Sequence, residues 1–115
     1  MSYDVQYNMN GISIIIPAYN SHEFIEECLT SINNQTYFRG NDNYEIIVGV
    51  DGCQNTLNKL KTIKDGIPNL KILWMEVNMG SYVTVNTMLN EVKYGHIIKF
   101  DSDDIMKPIL VENIM

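Results

Sequence analysis

Apolar residues along this chain alternate between two spacings, and the alternation predicts the order of its elements. Ile12 to Pro17, "ISIIIP", is a nearly continuous β-branched run of the kind found in strands buried on both faces, and predicts a first, central strand. From Glu23 the spacing changes: Phe24, Ile25, Cys28, Leu29 and Ile32 form a helical stripe, with Asn20 or Ser21 available as cap and Glu23 in the first turn. The turn cluster "GNDN", residues 40–43, leads into a second buried-strand run, Tyr44 to Asp51, broken by Asp51-Gly52. Thr56 to Ile63 predicts a short amphipathic helix closed by Asp65-Gly66 and Pro68, and Leu70 to Met75 a third strand. After the turn-like "NMG" at 78–80, Tyr82, Val85, Met88 or Leu89, and Val92 recur at helical spacing. His96 to Phe100 is then a fourth strand, which delivers Asp101, and "PILVENIM" from Pro108 begins another helix. Trp74 and the seven methionines lie in or beside these elements and are expected to fill the core. Residues 1–10 are polar and aperiodic, so the domain is placed at 11–115.

Strands that alternate with helices through short connections pair in parallel by right-handed crossovers. The predicted class is therefore α/β, a Rossmann-like, mostly parallel sheet with helices on both faces. Ligands of such sheets gather outside the carboxyl ends of the strands. Here those ends carry Ala18-Tyr19-Asn20, Asp51-Gly52, Asn78 to Gly80, and Asp101 to Asp104, four polar clusters brought to one edge.

Composition narrows what that edge can bind. With 115 residues, 45% hydrophobic and 19% charged, the chain is one small folded domain. Fourteen acidic residues against eight basic ones give a formal charge of −6, and no basic cluster is available to neutralise a polynucleotide, so nucleic acid is not an expected partner. A phosphorylated ligand would need its positive charge from a metal cation, a helix N-terminus or backbone N–H groups. Cys28 and Cys53 have no disulfide or zinc spacing and fit a cytoplasmic setting. No run approaches the ~20 apolar residues of a membrane span, so none is expected in this chain.

Asp101 and Asp103, two apart, can offer oxygens to one hard divalent cation that also bridges substrate phosphates. Taken as a string, D-x-D in an acidic chain more often describes a solvated turn or a helix cap; its place directly after an apolar strand and ahead of Pro108 favours the metal site. Asp51 reads alone as a turn residue beside Gly52, but a carboxylate at a strand end can also accept a base N–H or ribose hydroxyls. Tyr19 and Asn20 read either as loop and cap residues or as ligand contacts. No nucleophile with a neighbouring base stands out. An aspartate-nucleophile phosphohydrolase would want its D-x-D after the first strand, whereas "FDSDD" follows the fourth.

Together these strings resemble the N-terminal, nucleotide-sugar-binding half of the family-2 inverting glycosyltransferases of GT-A fold, over about Ile12 to Pro108. "ISIIIPAYN" is similar to the family's opening strand and loop, "ECLTSINNQTY" to its first helix and the Q-T-Y that follows, and "EIIVGVDG" to the second strand ending on a base-contacting aspartate. "NMG" resembles the N-x-G turn, and "GHIIKFDSDD" with Pro108 the strand, D-x-D and trailing proline. The resemblance implies that Pro17, Ala18 and Tyr19 line a nucleotide pocket together with Asn20, Gly80 and Ser102, and that Asp51 contacts the base, most often uracil. It implies that Asp101 and Asp103 touch ribose and a Mg²⁺ or Mn²⁺ ion on the diphosphate, with Asp104 a further ligand. The donor implied is a UDP-sugar, transferred with inversion to an unknown acceptor. The family's arginine in the helix after N-x-G has no counterpart, the chain reading "TVN" around Val85. The catalytic base and the acceptor-binding half are expected beyond the chain, in a further segment, a partner chain or an oligomer. The alternative is a non-catalytic nucleotide-sugar-binding module.

Overall fold

A computed structural model of the chain describes residues 8–115. Its elements follow the order β1 (Asn8–Ala18), α1 (Ile25–Asn33), β2 (Tyr44–Asp51), α2 (Gln54–Ile63), β3 (Leu70–Met75), α3 (Ser81–Leu89), β4 (Tyr94–Lys99) and α4 (Leu110–Ile114). Single 3₁₀ turns at Thr36–Phe38 and Lys64–Gly66 follow α1 and α2. The four strands form one sheet in the order β3-β2-β1-β4, every pair parallel.

The topology explains where the helices lie. The chain steps outward from β1 to β2 to β3, and right-handed crossovers put α1 and α2 on one face. It then returns past β2 and β1 to place β4 on the far side, and a right-handed return puts α3 on the opposite face. Strand alternation sorts the side chains accordingly. Ile12, Ile14, Ile16, Ile46 and Val48 pack with Ile25, Leu29, Ile32 and Leu60 in the larger core. Ile15 and Ile47 face the other way, onto Met88 and Val92. Each fully buried isoleucine or leucine is worth about 1.5–3 kcal/mol, so the run of them in β1 and β2 accounts for both strands being central.

At the amino end of the sheet one buried carboxylate joins all four strands. Glu45 Oε2 accepts from Ser13 Oγ at 2.6 Å and from the Lys93 N–H at 2.7 Å, while Lys71 Nζ lies 2.8 Å from Oε1. The Ser13 hydroxyl in turn accepts from the Tyr94 N–H at 3.2 Å. Burial pushes the Glu45 carboxyl up, but Lys71, Ser13 and the Lys93 amide outweigh it and hold it below its ordinary value.

Several expectations are corrected. β1 begins at Asn8, inside the segment read as aperiodic, because Asn8 pairs with Tyr94 across a register shift that precedes Ile12; residues 1–7 lie outside the described residues. Of the stripe expected along α3 and beyond it, Val85, Met88, Leu89 and Val92 pack on the sheet as read, but Tyr82 is 79% exposed and Thr84 is buried instead, since α3 approaches β2 over Gly49, where a Cβ would press on Met88 Sδ and Thr84 Cγ2. Trp74 lies on the outer strand β3 and is 38% exposed; Met9 and Met79 are also exposed, while among the described residues Met88 and Met106 are the buried methionines. Among the described residues no helix is long and apolar enough to cross a membrane.

Candidate functional site

Because the strands are parallel, their carboxyl ends share one edge, and the reversal of strand order between β1 and β4 opens a crevice there. A cleft of about 500 Å³ occupies it. Pro17, Ala18, Tyr19, Asn20, Ser21 and Phe24 form the wall that follows β1; Asp51 comes from β2; Asn78, Gly80, Ser81 and Thr84 come from the turn into α3; Lys99, Asp101, Ser102 and Asp103 come from β4 and its loop. All eight residues expected to bind a nucleotide sugar line this one cleft, as does Asp103.

Asn20 takes the left-handed backbone conformation, φ 53°, which asparagine tolerates better than most residues. It turns the chain sharply out of β1, so neither Asn20 nor Ser21 caps α1. The helix begins at Ile25 after Phe24, whose N–H and that of Ile25 both reach the Ser21 carbonyl at 2.9 Å. Ser21 is instead a junction: its N–H donates to Thr56 Oγ1 at 2.9 Å, and its hydroxyl lies 2.6 Å from that of Ser102. The turn after β1 is thereby tied to α2 and to the loop after β4.

Asp51 is 4% exposed and engaged at both oxygens, Oδ1 accepting from the Met79 N–H at 2.7 Å and Oδ2 from the Gly80 N–H at 3.0 Å. Its carboxylate therefore shapes the 78–80 turn. Gly80, at φ 88°, starts α3 in a conformation that favours glycine, and its carbonyl accepts both the Thr84 N–H and the Thr84 hydroxyl. Lone pairs of Asp51 not used by these amides remain for a donor inside the cleft.

At the mouth, Asp101, Asp103 and Asp104 are exposed, and one carboxylate oxygen from each lies within 4.8 Å of the others. Three hard oxygen donors this close suit Mg²⁺ or Mn²⁺. Asp104 belongs to the cluster but not to the cleft wall. Lys99 Nζ stands 3.6 Å from Asp101 Oδ1. Beneath the cluster the Cys28 thiol donates to the Asp101 carbonyl at 3.5 Å and is pushed up to about 12, by burial first and then by the charges of Asp104, Asp103 and Asp101. Cys53 shifts the other way: burial raises it, but hydrogen bonds from the Thr56 hydroxyl and from the N–H groups of Thr56, Asn20 and Asn55 hold it below its ordinary value.

The sequence of the Glycosyl transferase family 2 model matches residues 13–115. The chain belongs to glycosyl transferase family 2. A Haemophilus influenzae relative, described as an uncharacterized glycosyltransferase, is 36% identical over 105 residues, which is 90% of this chain and 31% of that protein. The poly(ribitol-phosphate) beta-glucosyltransferase of Bacillus spizizenii is 37% identical over 95 residues, 81% of this chain and 15% of its own length. Residues 1–349 of S. aureus TarS, solved in complex with UDP, superpose with a TM-score of 0.79 at 26% identity, over 90% of this chain and 30% of that one. This chain thus spans about a third or less of the family members it matches. The GT-A fold implied by the opening strand, the N-x-G turn and the D-x-D is the fold found.

Sequence reasoning did not single out Ser21, Ser81, Thr84 or Lys99 as cleft residues. Lys99 carried a signal, a lone charge near the end of an otherwise apolar strand; Ser21, Ser81 and Thr84 are ordinary helix-start residues until the fold brings them together.

Proposed function

We propose that residues 11–115 are the donor-binding half of an inverting glycosyltransferase that takes a nucleotide-diphosphate sugar, specifically a UDP-sugar, and passes the sugar to an acceptor. The observation that carries this reading is the convergence of Pro17, Ala18, Tyr19, Asn20, Asp51, Gly80, Asp101 and Ser102 on a single cleft with three clustered carboxylates at its mouth. TarS, 26% identical, has been solved with UDP and with UDP-GlcNAc, which supports a uridine nucleotide.

In this reading Pro17, Ala18 and Tyr19 hold the base, and Asp51 accepts its N–H while keeping the 78–80 turn in place. Asp101 and Ser102 meet the ribose. Asp101, Asp103 and Asp104 hold Mg²⁺ or Mn²⁺, which when bound supplies charge stabilisation to the departing diphosphate. The two free thiols agree with a cytoplasmic setting.

The cleft favours a second reading for the chain by itself. Its wall contains three carboxylates, of which Asp51 is spent on backbone amides and Asp101 and Asp103 belong to the metal cluster. None is left to deprotonate an acceptor hydroxyl, so this chain by itself is a donor-binding module, and the base comes from a further segment or a partner chain. Calorimetric titration of UDP and UDP-GlcNAc with Mn²⁺ and with EDTA tests both readings. Metal-dependent binding that is lost in Asp103→Ala is expected. Affinity unchanged by that substitution would refute the D-x-D site, and sugar release by this chain alone would refute the module.

A further inference from the structure

We propose that Ser31 and Gln35, on and just after α1, are positioning residues that set the geometry of the Asp101–Asp103–Asp104 cluster by clamping the segment that follows β4. The proposal rests on the reading of that cluster as a divalent-metal site.

Residues 100–109 contain no helix or strand. Within the segment the backbone is tied to itself by a single turn around the cluster, the Asp104 N–H to the Asp101 carbonyl at 3.1 Å, and by the Leu110 N–H to Lys107 at 3.0 Å. Three neighbouring carboxylates repel one another, and on a free loop they would swing apart. What prevents this is a row of side chains along one face of α1 and its continuation. Cys28 and Ser31, three apart on α1, project on one side of that helix, and Gln35 follows two residues after its end.

Each member of the row grips a successive part of the segment. The Cys28 thiol donates to the Asp101 carbonyl, immediately before the cluster. The Ser31 hydroxyl accepts the Met106 N–H at 2.8 Å, two residues beyond Asp104, and donates to the Cys28 carbonyl at 2.6 Å. Gln35 is fully buried and uses both ends of its amide. Its Nε2 donates to the Lys107 carbonyl at 2.7 Å and the Ser31 carbonyl at 3.3 Å, and its Oε1 accepts the Val111 N–H at 3.1 Å. The neighbouring Thr36 N–H adds a bond to the Pro108 carbonyl at 2.9 Å. The Met106 side chain completes the anchor by entering the larger core. The cluster is therefore strung between two fixed points, Asp101 and Met106, and its oxygens stay within 4.8 Å without the cation having to gather them.

Ser31→Ala removes only the hydroxyl and keeps a good helix former. Loss of a partner that orients metal ligands typically weakens metal affinity by about 10–100-fold. The expected result is Mn²⁺ affinity weakened at least about tenfold, faster hydrogen exchange of the Met106 amide in the metal-free protein, unchanged exchange in β1 and β2, and recovery of both in Ser31→Thr. Mn²⁺ affinity in Ser31→Ala equal to that of the wild type, or a Ser31→Thr variant as impaired as Ser31→Ala, would overturn the clamp and leave the donor-site reading standing. A wild-type chain that takes up no Mn²⁺, with or without UDP, would overturn the metal reading itself and the clamp with it.

Discussion

Replacing Asp51 with asparagine separates two jobs that the carboxylate combines. In the protein both oxygens accept backbone N–H groups, Met79 at 2.7 Å and Gly80 at 3.0 Å, in a nearly dry position. Asparagine offers one acceptor oxygen, and its NH₂ faces the remaining N–H. The Gly80 amide also has Asn78 Oδ1 at 3.1 Å, so the new oxygen turns to Met79 and Gly80 falls back on Asn78. A hydrogen bond to a charged acceptor contributes about 1.5–3 kcal/mol, and the fallback places the loss toward the lower part of that range, about 2 kcal/mol. Local opening of the 78–80 turn then becomes about thirtyfold more frequent, at 1.4 kcal/mol per factor of ten. Hydrogen exchange resolved at Met79 and Gly80 measures this directly, with β1 and β2 amides as the internal reference. Unchanged exchange at both amides would refute the idea that Asp51 holds the turn. UDP binding distinguishes the second job. A Cβ at Gly52 would run into the backbone of Val77 and Asn78, so Gly52→Ala displaces the same turn with the carboxylate intact. If Asp51 also contacts the base, Asp51→Asn weakens UDP more than Gly52→Ala for equal disturbance of the turn. Equal weakening would leave Asp51 with a purely architectural role.

Two further outcomes concern titration. Glu45 is held below its ordinary value of 4.5, so it stabilises the fold above the unfolded-state pKa and loses that contribution as pH falls through its lower folded-state value. The urea midpoint should therefore drop between about pH 6 and about pH 3, and less steeply in Glu45→Gln; parallel slopes would contradict the four-strand junction. The thiols should behave oppositely under iodoacetamide at about pH 8: Cys53, held below its ordinary value and half-exposed, is alkylated in the native protein, while Cys28, pushed up to about 12, is spared until unfolding. Equal labelling of the two by mass spectrometry would contradict both environments.

The parts of this fold legible in the sequence are those governed by local pattern. Ile12–Pro17 and Tyr44–Asp51 are so uniformly β-branched and apolar that their burial between helices follows directly, and their order with the helices fixes the crevice. What escaped depends on partners far along the chain. Asn8 joins β1 only because Tyr94 is beside it, and nothing in "YNMN" announces a strand. In "SYVTVNTMLNEV" the apolar stripe reads as starting at Tyr82, but the helix is seated by Gly49 on another element, which brings Thr84 rather than Tyr82 under cover beside Met88. Gln35 reads locally as a polar residue after a helix. Its burial makes sense only once Lys107 and Val111, more than seventy residues on, supply its partners.

The charge on the cleft wall follows from the same logic of faces. Val85, in the stretch where the resemblance places an arginine, is half-buried against the smaller core of Ile15, Ile47, Met88 and Val92, whereas Ser81 and Thr84 are the α3 residues that reach the cleft. A longer cationic side chain at 85 would start from the sheet side of the helix, so its loss costs the cleft little. Among the described residues the one cation on the wall is Lys99, set against Asp51, Asp101 and Asp103. Its ammonium already faces Asp101 at 3.6 Å. An anionic diphosphate entering this cleft therefore meets a net negative wall, and attraction must come from charge added at Asp101, Asp103 and Asp104. On the proposed donor-site reading, a cleft of this composition would discriminate against free anionic nucleotides and admit them together with a divalent cation, which would make the spacing of those three carboxylates, and so the side chains that hold it, the controlling feature of the site.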